Sequence, residues 1–350
     1  MPDKKRILVA PLNWGLGHAT RSIPVIEALE NHGYEPIIAS DGTALALMKK
    51  EFSHLTALEL PGYPNAVQPL PRAGLIAIPG LLNAALREHK AVKELVKAFN
   101  IHGIISDNRP GVYCKGLPSA FITHRLNVPP GATGWMAASL YHSLIKKHTE
   151  CWVPDVEAAP NLSGKLGHCE NISSPVRYIG PLSRFHKKPV RKRYDLLVIL
   201  SGNEPQRTLL ENKLRSALTG YPGQAVFVCG KIEEKEKMMQ EGNIIFYNFM
   251  NTAALEKIFN ESETVLCRSG YTNIMDLAIL GKKAFFIPMP GNYEQEYLAK
   301  KLKKAGVAPF SPQDSFGWED LEKVNLYKGL KHLNSDEVKW KDLFCLFEGK

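Results

Sequence analysis

The 350-residue sequence has no Cys-x-x-Cys pair, no Cys/His spacing of a zinc site, and no apolar run of eighteen or more residues. It also lacks low-complexity tracts and repeats of solenoid period. Each absence removes a class of protein. Without the long apolar run, no transmembrane helix is expected. The start, Met1-Pro2-Asp3-Lys4-Lys5-Arg6, passes at once into Ile7-Leu8-Val9-Ala10, too short for a secretory h-region and better suited to a first strand. A cytoplasmic location follows as the expectation. The six cysteines (Cys114, Cys151, Cys169, Cys229, Cys267, Cys345) are scattered singly, as core thiols of a reducing compartment are. No Asp-x-Asp pair is present to hold a metal on a diphosphate, so no metal is expected.

What the sequence does have is length for two cores and a basic surplus. Three hundred and fifty residues suit two domains, and 44 Lys and Arg against 35 Asp and Glu give a net charge of +9. That surplus favours an anionic partner, whether nucleotide, nucleic acid or membrane surface, without choosing among them. The recognised nucleic-acid modules are missing, with neither zinc-finger spacing nor interleaved aromatic and basic residues, so nucleic acid is not the expected partner.

Short β-branched runs alternate with segments of helical period, the pattern of an α/β protein with doubly wound parallel sheets. Strands are predicted near Ile7 to Ala10, Glu35 to Ala39, Leu55 to Leu60, Gly103 to Ser106, Ala120 to Thr123 and Cys151 to Val153. After Ile179-Gly180-Pro181 a polar, Pro-containing stretch, His186 to Arg193, reads as a linker. The alternation restarts with strands at Asp195 to Leu200, Ala225 to Val228, Ile244 to Tyr247, Thr264 to Cys267 and Ala284 to Ile287. The predicted organisation is a Rossmann-like domain over 1–182, a linker over 183–194, a second Rossmann-like domain over 195–334 and a terminal helix over 335–350. On that helix Trp340, Leu343, Phe344 and Phe347 form an apolar stripe that needs a surface to cover.

Four segments carry candidate chemistry. Asn13-Trp14-Gly15-Leu16-Gly17-His18-Ala19-Thr20-Arg21 follows the first strand and opens a helix; Gly15 and Gly17 allow close approach of backbone to a ligand, and His18 suits a general base. His18 capping the turn is the plainer alternative. The segment lacks a third glycine, and Asp41 would have to serve as ribose acid, so a nicotinamide cofactor is disfavoured. Ser201-Gly202-Asn203-Glu204-Pro205-Gln206-Arg207 holds the same place in the second half, with Ser201 and Gly202 as phosphate donors and Arg207 as a nearby cation, or as an ordinary turn.

The strongest segment is Cys267-Arg268-Ser269-Gly270-Tyr271-Thr272-Asn273-Ile274-Met275-Asp276. A strand ends at a small polar turn and a helix opens with Gly270, so free amides and the helix dipole converge where a diphosphate can sit. Asp276, one turn into the helix, can reach ribose hydroxyls or be a solvated helix charge. Further on, Glu294-Gln295-Glu296 opens a helix after a Pro/Gly loop, with acceptors suited to sugar hydroxyls and equally to the helix dipole alone.

Together these residues resemble the GT-B glycosyltransferases, most of all the family 28-like branch containing the lipid-linked peptidoglycan GlcNAc transferase and the diacylglycerol glycosyltransferases. Gly15, Gly17, His18 and Pro24 match that branch's first loop and helix; Cys267, Arg268, Ser269, Gly270, Thr272 and Asp276 match its donor segment. The resemblance implies two Rossmann-like domains facing across a cleft. It implies diphosphate contacts from Ser269, Gly270 and Thr272 with Arg268 and Tyr271 beside them, ribose held by Asp276, the base over Met250, and the donor sugar met by Gln295 and Glu296 with Glu294 adjacent.

The family's second glutamine is Glu296 here, and Asn13-Trp14 replaces a glycine-rich start, so neither donor sugar nor acceptor is carried over. The activity implied is an inverting, metal-independent transfer of a hexose or N-acetylhexosamine from a nucleotide diphosphate sugar, UDP-sugar first, to an acceptor hydroxyl. No cofactor beyond the co-substrate is implied. His18 is the first candidate base; Asp107, in Ser106-Asp107-Asn108-Arg109, and His124, in Thr123-His124-Arg125, lie at strand ends where either can replace or orient it. The apolar stretch Ala73 to Leu82, followed by Arg87, Lys90, Lys93 and Lys97, suits peripheral contact with an anionic membrane face and a lipid-linked acceptor, or a helix packed on the sheet with a solvated basic face. A nucleotide-sugar 2-epimerase and a non-catalytic nucleotide-sugar-binding subunit are the rival functions.

Overall fold

The computed structural model describes residues 4–63, 78–127, 134–169, 174–231, 233, 235–333 and 337–349. They fall into two compact units, Met1–Leu182 with Asp336–Lys350, and Ser183–Ser335.

The first unit is a seven-stranded parallel sheet. Its strands are β1 (Arg6–Pro11), β2 (Glu35–Ser40), β3 (Ala57–Glu59), β4 (Ile101–Asp107), β5 (Ser119–Ile122), β6 (Glu150–Val153) and β7 (Val176–Tyr178), in spatial order β3-β2-β1-β4-β5-β6-β7. Ile7, Leu8, Val9 and Ala10 are fully buried, as expected where helices cover both faces of a parallel strand and no alternation is needed. The helices are α1 (Gly17–Asn31), α2 (Gly42–Glu51), α3 (Ile78–Ala98) and α4 (Gly134–Ile145). α3 lays Ala84, Ala85, Glu88 and Val92 inward and leaves Leu86, Arg87, Lys90, Lys93 and Lys97 exposed. Residues 73–77, half of the apolar stretch Ala73 to Leu82, lie outside the described residues.

The chain's last elements close on this unit. α9 (Trp340–Phe344) tightens into a 3-10 turn over Cys345–Phe347, and Leu343, Phe344 and Phe347 are buried. Phe344 and Phe347 meet Tyr34 edge-on, and Phe347 also meets Trp152. Lys5 Nζ donates to the carbonyls of Phe347 and Glu348, closing the turn with a cation at a carbonyl end.

The second unit is a six-stranded sheet of β8 (Tyr194–Ile199), β9 (Ala225–Val228), β10 (Met238–Glu241), β11 (Ile244–Tyr247), β12 (Ser262–Cys267) and β13 (Lys283–Phe286), ordered β10-β11-β9-β8-β12-β13. All pairs are parallel except β10 with β11. Its helices are α5 (Gln206–Ala217), α6 (Thr252–Glu261), α7 (Tyr271–Leu280) and α8 (Tyr293–Lys304). β7 and β10 are additions to the predicted strands. β7 is only three residues long, and β10 is an exposed edge of Met238-Met239-Gln240-Glu241 with no alternation of apolar and polar residues.

In each sheet the first strand has its neighbours on opposite sides: β2 and β4 flank β1, and β9 and β12 flank β8. The connections therefore diverge at β1/β4 and at β8/β12. Such a switch point, at the carboxyl ends of the strands, is where doubly wound sheets bind ligands.

Candidate active site

In the first unit three strand ends bring their side chains to one place. Pro11 of β1 pairs with Asp107 of β4, and Leu12 N donates to the Asp107 carbonyl at 3.0 Å. β5 ends at Ile122, two residues before His124. α1 begins at Gly17 after the left-handed Gly15 (φ +78°), so His18, Arg21 and Ser22, at i, i+3 and i+4, share a helix face turned to Asp107. The loop ahead is held from its far end: Asn13 Nδ2 donates to Asp41 at 3.1 Å, while Asn13 Oδ1 accepts from Thr43 Oγ1 and Ala44 N. Asp41, the would-be ribose acid, is thereby engaged by Asn13 and by Arg109 at 2.5 Å.

Arg21 is the hub, buried and absent from the predicted site residues. Its Nε donates to Asp107 Oδ2 at 2.6 Å, one terminal nitrogen donates to Asp107 Oδ1, and the other reaches His124 Nδ1 at 3.1 Å. His18 Nδ1 stands 2.8 Å from Asp107 Oδ1. Burial alone would raise the Asp107 carboxyl, but the charges of Arg21 and His18 and their hydrogen bonds outweigh it and hold the group at about 2. The carboxylate is therefore ionised and accepts from every side.

The two imidazoles are held differently. His18 Nδ1 faces two partners of opposite kind, the Asp107 carboxylate at 2.8 Å, which accepts, and a terminal nitrogen of Arg21 at 2.9 Å, which donates. A guanidinium can only donate, so His124 Nδ1 accepts and its proton sits on Nε2. His124 thus orients Arg21, and Arg21 orients the carboxylate that orients His18. Behind Asp107, Asn108 takes a left-handed conformation (φ +59°), and its Oδ1 accepts from Tyr141, itself bonded to Thr123.

In the second unit, β12 delivers Cys267, and Gly270 caps α7 in an extended conformation with open space where a Cβ would be. Having no side chain, Gly270 leaves the first amides of α7 uncovered by its own residue, which keeps this helix end able to take an anion. Ser269 is buried and its Oγ donates to the Gln295 carbonyl at 2.7 Å, tying the turn to α8. Tyr271 is buried and Thr272 half-buried.

Two candidate cations are engaged within the unit, and one candidate acid is buried. Arg268 is no phosphate cation: its guanidinium is buried and donates to the carbonyls of Ile287, Pro288 and Gln206 and to Gln313 Oε1, and burial lowers it to about 10. It braces the turn from below. Arg207 is likewise spent, its donors taken by Glu204, Thr208, Glu211 and the Cys229 carbonyl. Asp276 is no solvated helix charge; its carboxyl is buried and accepts from Ser183 Oγ at 2.6 Å, and burial, only partly offset by Ser183 and Arg184, raises it to about 7.

The remaining candidates surround the same strand ends. Ser201 and Gly202 (φ +113°) follow β8 with Gly202 exposed. Met250 is half-buried just ahead of Asn251, which caps α6 by accepting from Ala254 N. On α8, Gln295 Oε1 accepts from Met289 N and Glu296 Oε1 from Gly291 N, so both hold the preceding loop, while Glu294 stands half-buried beside them. Among the described residues no group of three or more His, Cys, Asp or Glu is arranged to hold a metal. No helix among them is long and apolar enough to cross a membrane.

Two parallel-sheet units, each with its polar cluster at a switch point, have the GT-B fold, and the matches that follow make the chain a glycosyltransferase. The solved structure of MurG from Acinetobacter baumannii superposes with a TM-score of 0.60 at 14% identity, over 99% of each chain. The glycosyltransferase SnogD from Streptomyces nogalater superposes with 0.61 at 15%, over 98% of this chain and all of that one (100%). Residues 202–339 match the glycosyltransferase family 28 C-terminal domain. Along 92% of this chain and 88% of the relative, the sequence is 24% identical to the UDP-N-acetylglucosamine--N-acetylmuramyl-(pentapeptide) pyrophosphoryl-undecaprenol N-acetylglucosamine transferase of Pasteurella multocida (strain Pm70).

Proposed function

We propose that this enzyme transfers a hexose or N-acetylhexosamine from a UDP-sugar to a hydroxyl of a lipid-linked acceptor, with inversion and without a metal. The donor and acceptor classes rest on the Pasteurella relative, whose name carries both a UDP-sugar and an undecaprenol-linked acceptor. The observation that carries the chemistry is the His18–Asp107 contact locked by Arg21.

His18 Nε2 takes the acceptor hydroxyl proton as the new glycosidic bond forms. The imidazolium so created is stabilised by the Asp107 carboxylate, which stays ionised throughout because Arg21 holds it so. The leaving UDP gathers negative charge, and the N-terminus of α7 at Gly270, Tyr271 and Thr272 meets it with amides and dipole. Ser269 and buried Arg268 keep that turn in shape. Met250 lies under the base, Ser201 and Gly202 approach the phosphates, and Gln295, Glu296 and Glu294 face the sugar. Asp276 joins the ribose by exchanging the Ser183 hydroxyl for a ribose hydroxyl. The exposed Leu86, Arg87, Lys90, Lys93 and Lys97 of α3 supply the contact with an anionic membrane face at which a lipid-linked acceptor is met.

The test is UDP release from UDP-GlcNAc, UDP-glucose and UDP-galactose in the presence of membrane lipid extract. One donor is expected to turn over, and His18→Ala should lower kcat by about 10²–10⁴-fold while UDP still binds. Acceptor-dependent turnover that survives His18→Ala would remove His18 as the base; release from no donor would overturn the reaction.

A further inference from the structure

A second charged cluster lies at the opposite edge of the second unit's sheet, where β12 and β13 begin. α7 ends at the left-handed Gly281 (φ +62°), and this turn sends Lys282 into the edge, with its N–H closing back on the Leu277 carbonyl at 2.9 Å. Lys282 is almost fully buried, 5% exposed. Its Nζ donates to the Ser262 carbonyl at 2.7 Å and lies 3.4 Å from the Asn260 carbonyl. Lys192 Nζ donates to that same Asn260 carbonyl at 2.6 Å. Two ammonium groups converge on one neutral oxygen.

Lys187 adds a third: its Nζ lies 3.3 Å from where a Cβ on Gly281 would stand, next to Lys282 in the chain. The segment bearing Lys187 and Lys192 is pinned by Asn260, whose side chain accepts from Lys188 N and donates to the His186 carbonyl. The cations are therefore brought together by the backbone path and do not drift there. Their neighbours are neutralised, Lys188 by Glu256 and Arg193 by Glu261 at 3.9 Å, whereas Lys187, Lys192 and Lys282 have no carboxylate at ion-pair distance among the described residues. Burial, with Lys192 and Lys187 adding to it, lowers the Lys282 amine to about 7 against the opposing pull of Glu263. A pocket of about 540 Å³, lined by Val190, Arg191, Lys192, Arg193 and Glu261, opens beside Lys192.

We infer that Lys187, Lys192 and Lys282 form an anion site for a phosphate-type group at the amino edge of the second unit's sheet. Carbonyl dipoles satisfy the donors but cancel no formal charge, and a phosphate offers acceptor oxygens to the exposed Lys187 and Lys192 while its negative charge favours the protonated form of buried Lys282. The site is separate from the α7 turn: six residues of β12 span about 17–20 Å between them. It stands independently of the donor reading. The phosphate belongs either to a soluble ion or to a lipid headgroup.

Two arms separate these sources, both with UDP present in excess. Inorganic phosphate is titrated calorimetrically into the full chain and into Lys192→Gln, a change on an exposed side chain. Vesicles of phosphatidylcholine with and without phosphatidylglycerol are sedimented with the same two proteins and with Lys187→Gln/Lys192→Gln. A loss of about tenfold in phosphate affinity in Lys192→Gln assigns a soluble ion. A loss confined to phosphatidylglycerol vesicles, deepened in the double variant, assigns a headgroup. Equal binding by every protein compared within each arm overturns the site, and unchanged UDP binding by the variants keeps that outcome apart from any failure of the donor turn.

Discussion

Arg21 decides which residue-scale reading of the first unit holds. Its guanidinium is buried against a buried carboxylate and an imidazole nitrogen, so removing either member of the Arg21–Asp107 pair leaves an uncompensated charge in the interior. Asp107→Asn should therefore cost stability of about 3–5 kcal/mol as well as activity, and His18→Ala activity alone. Urea unfolding of the two variants separates these outcomes; equal stability loss in both would mean that His18 also holds the fold.

Asp276 gives a second residue-scale prediction. Folded, its carboxyl releases a proton at about 7; unfolded, a carboxyl does so near 4. Between those values the unfolded chain binds fewer protons than the folded one, so this group makes folding stability fall as pH rises through the window and level off above it. Asp276→Asn cannot ionise. The stability of Asp276→Asn relative to the parent should thus rise by about 1.4 kcal/mol per pH unit from roughly pH 4 to pH 7. Parallel pH profiles for the two proteins would show that this carboxyl ionises normally.

At the scale of elements, the terminal turn is the most constrained contact. Gly103 of β4 faces the Phe347 ring, and a Cβ there would lie 2.3 Å from Phe347 Cδ1 and 2.9 Å from Ile7 Cδ1. Gly103→Ala must push the aromatic ring out or bend the central strand, at a cost of about 1–3 kcal/mol. Gly103→Ala/Phe347→Ala, which frees the space, should recover part of the loss caused by Gly103→Ala in Phe347-containing protein. An additive loss in the double variant would mean that the clash lies elsewhere. The apolar stripe of Trp340, Leu343, Phe344 and Phe347 was legible from its spacing alone. Its partner surface, Tyr34, Gly103 and Trp152, was not, because those residues come from two strands and a turn distant in sequence.

The same distinction runs through the site. His18 and Ser269 each follow a strand and open a helix, a local pattern that hydrophobic period and glycine placement reveal. His18-x-x-Arg21-Ser22 also carries a readable signal, since i, i+3 and i+4 share a helix face. Yet the value of that face depends on Asp107 and His124 arriving beside it, which the order β1-β4-β5 brings about. Arg207 and Arg268 illustrate the converse. Basic residues beside a candidate phosphate turn look like ligand cations until their donors are found taken by Glu204, Glu211 and buried carbonyls.

On the scale of the whole molecule, each unit has its own sheet and its own core, so a ligand of one should protect that unit first. UDP at a hundredfold its Kd adds up to about 2.7 kcal/mol to whatever it binds. Hydrogen exchange at the amides of β8 and β12 should slow accordingly, while amides of β1 and β4 are unchanged. Protection of β1 and β4 alone would move the nucleotide site to the first unit.

The sequence by itself determined two doubly wound sheets, a basic surplus and the two glycine-bearing turns, because strand and helix periods and turn chemistry are local properties of the chain. Only the tertiary structure decided which strands stand side by side, and hence that His18, Asp107 and His124 are one assembly around Arg21, that Asp276 bonds Ser183, and that three lysines meet at the far edge of a sheet. Charges are paired, buried or left over according to neighbours that the chain order does not contain.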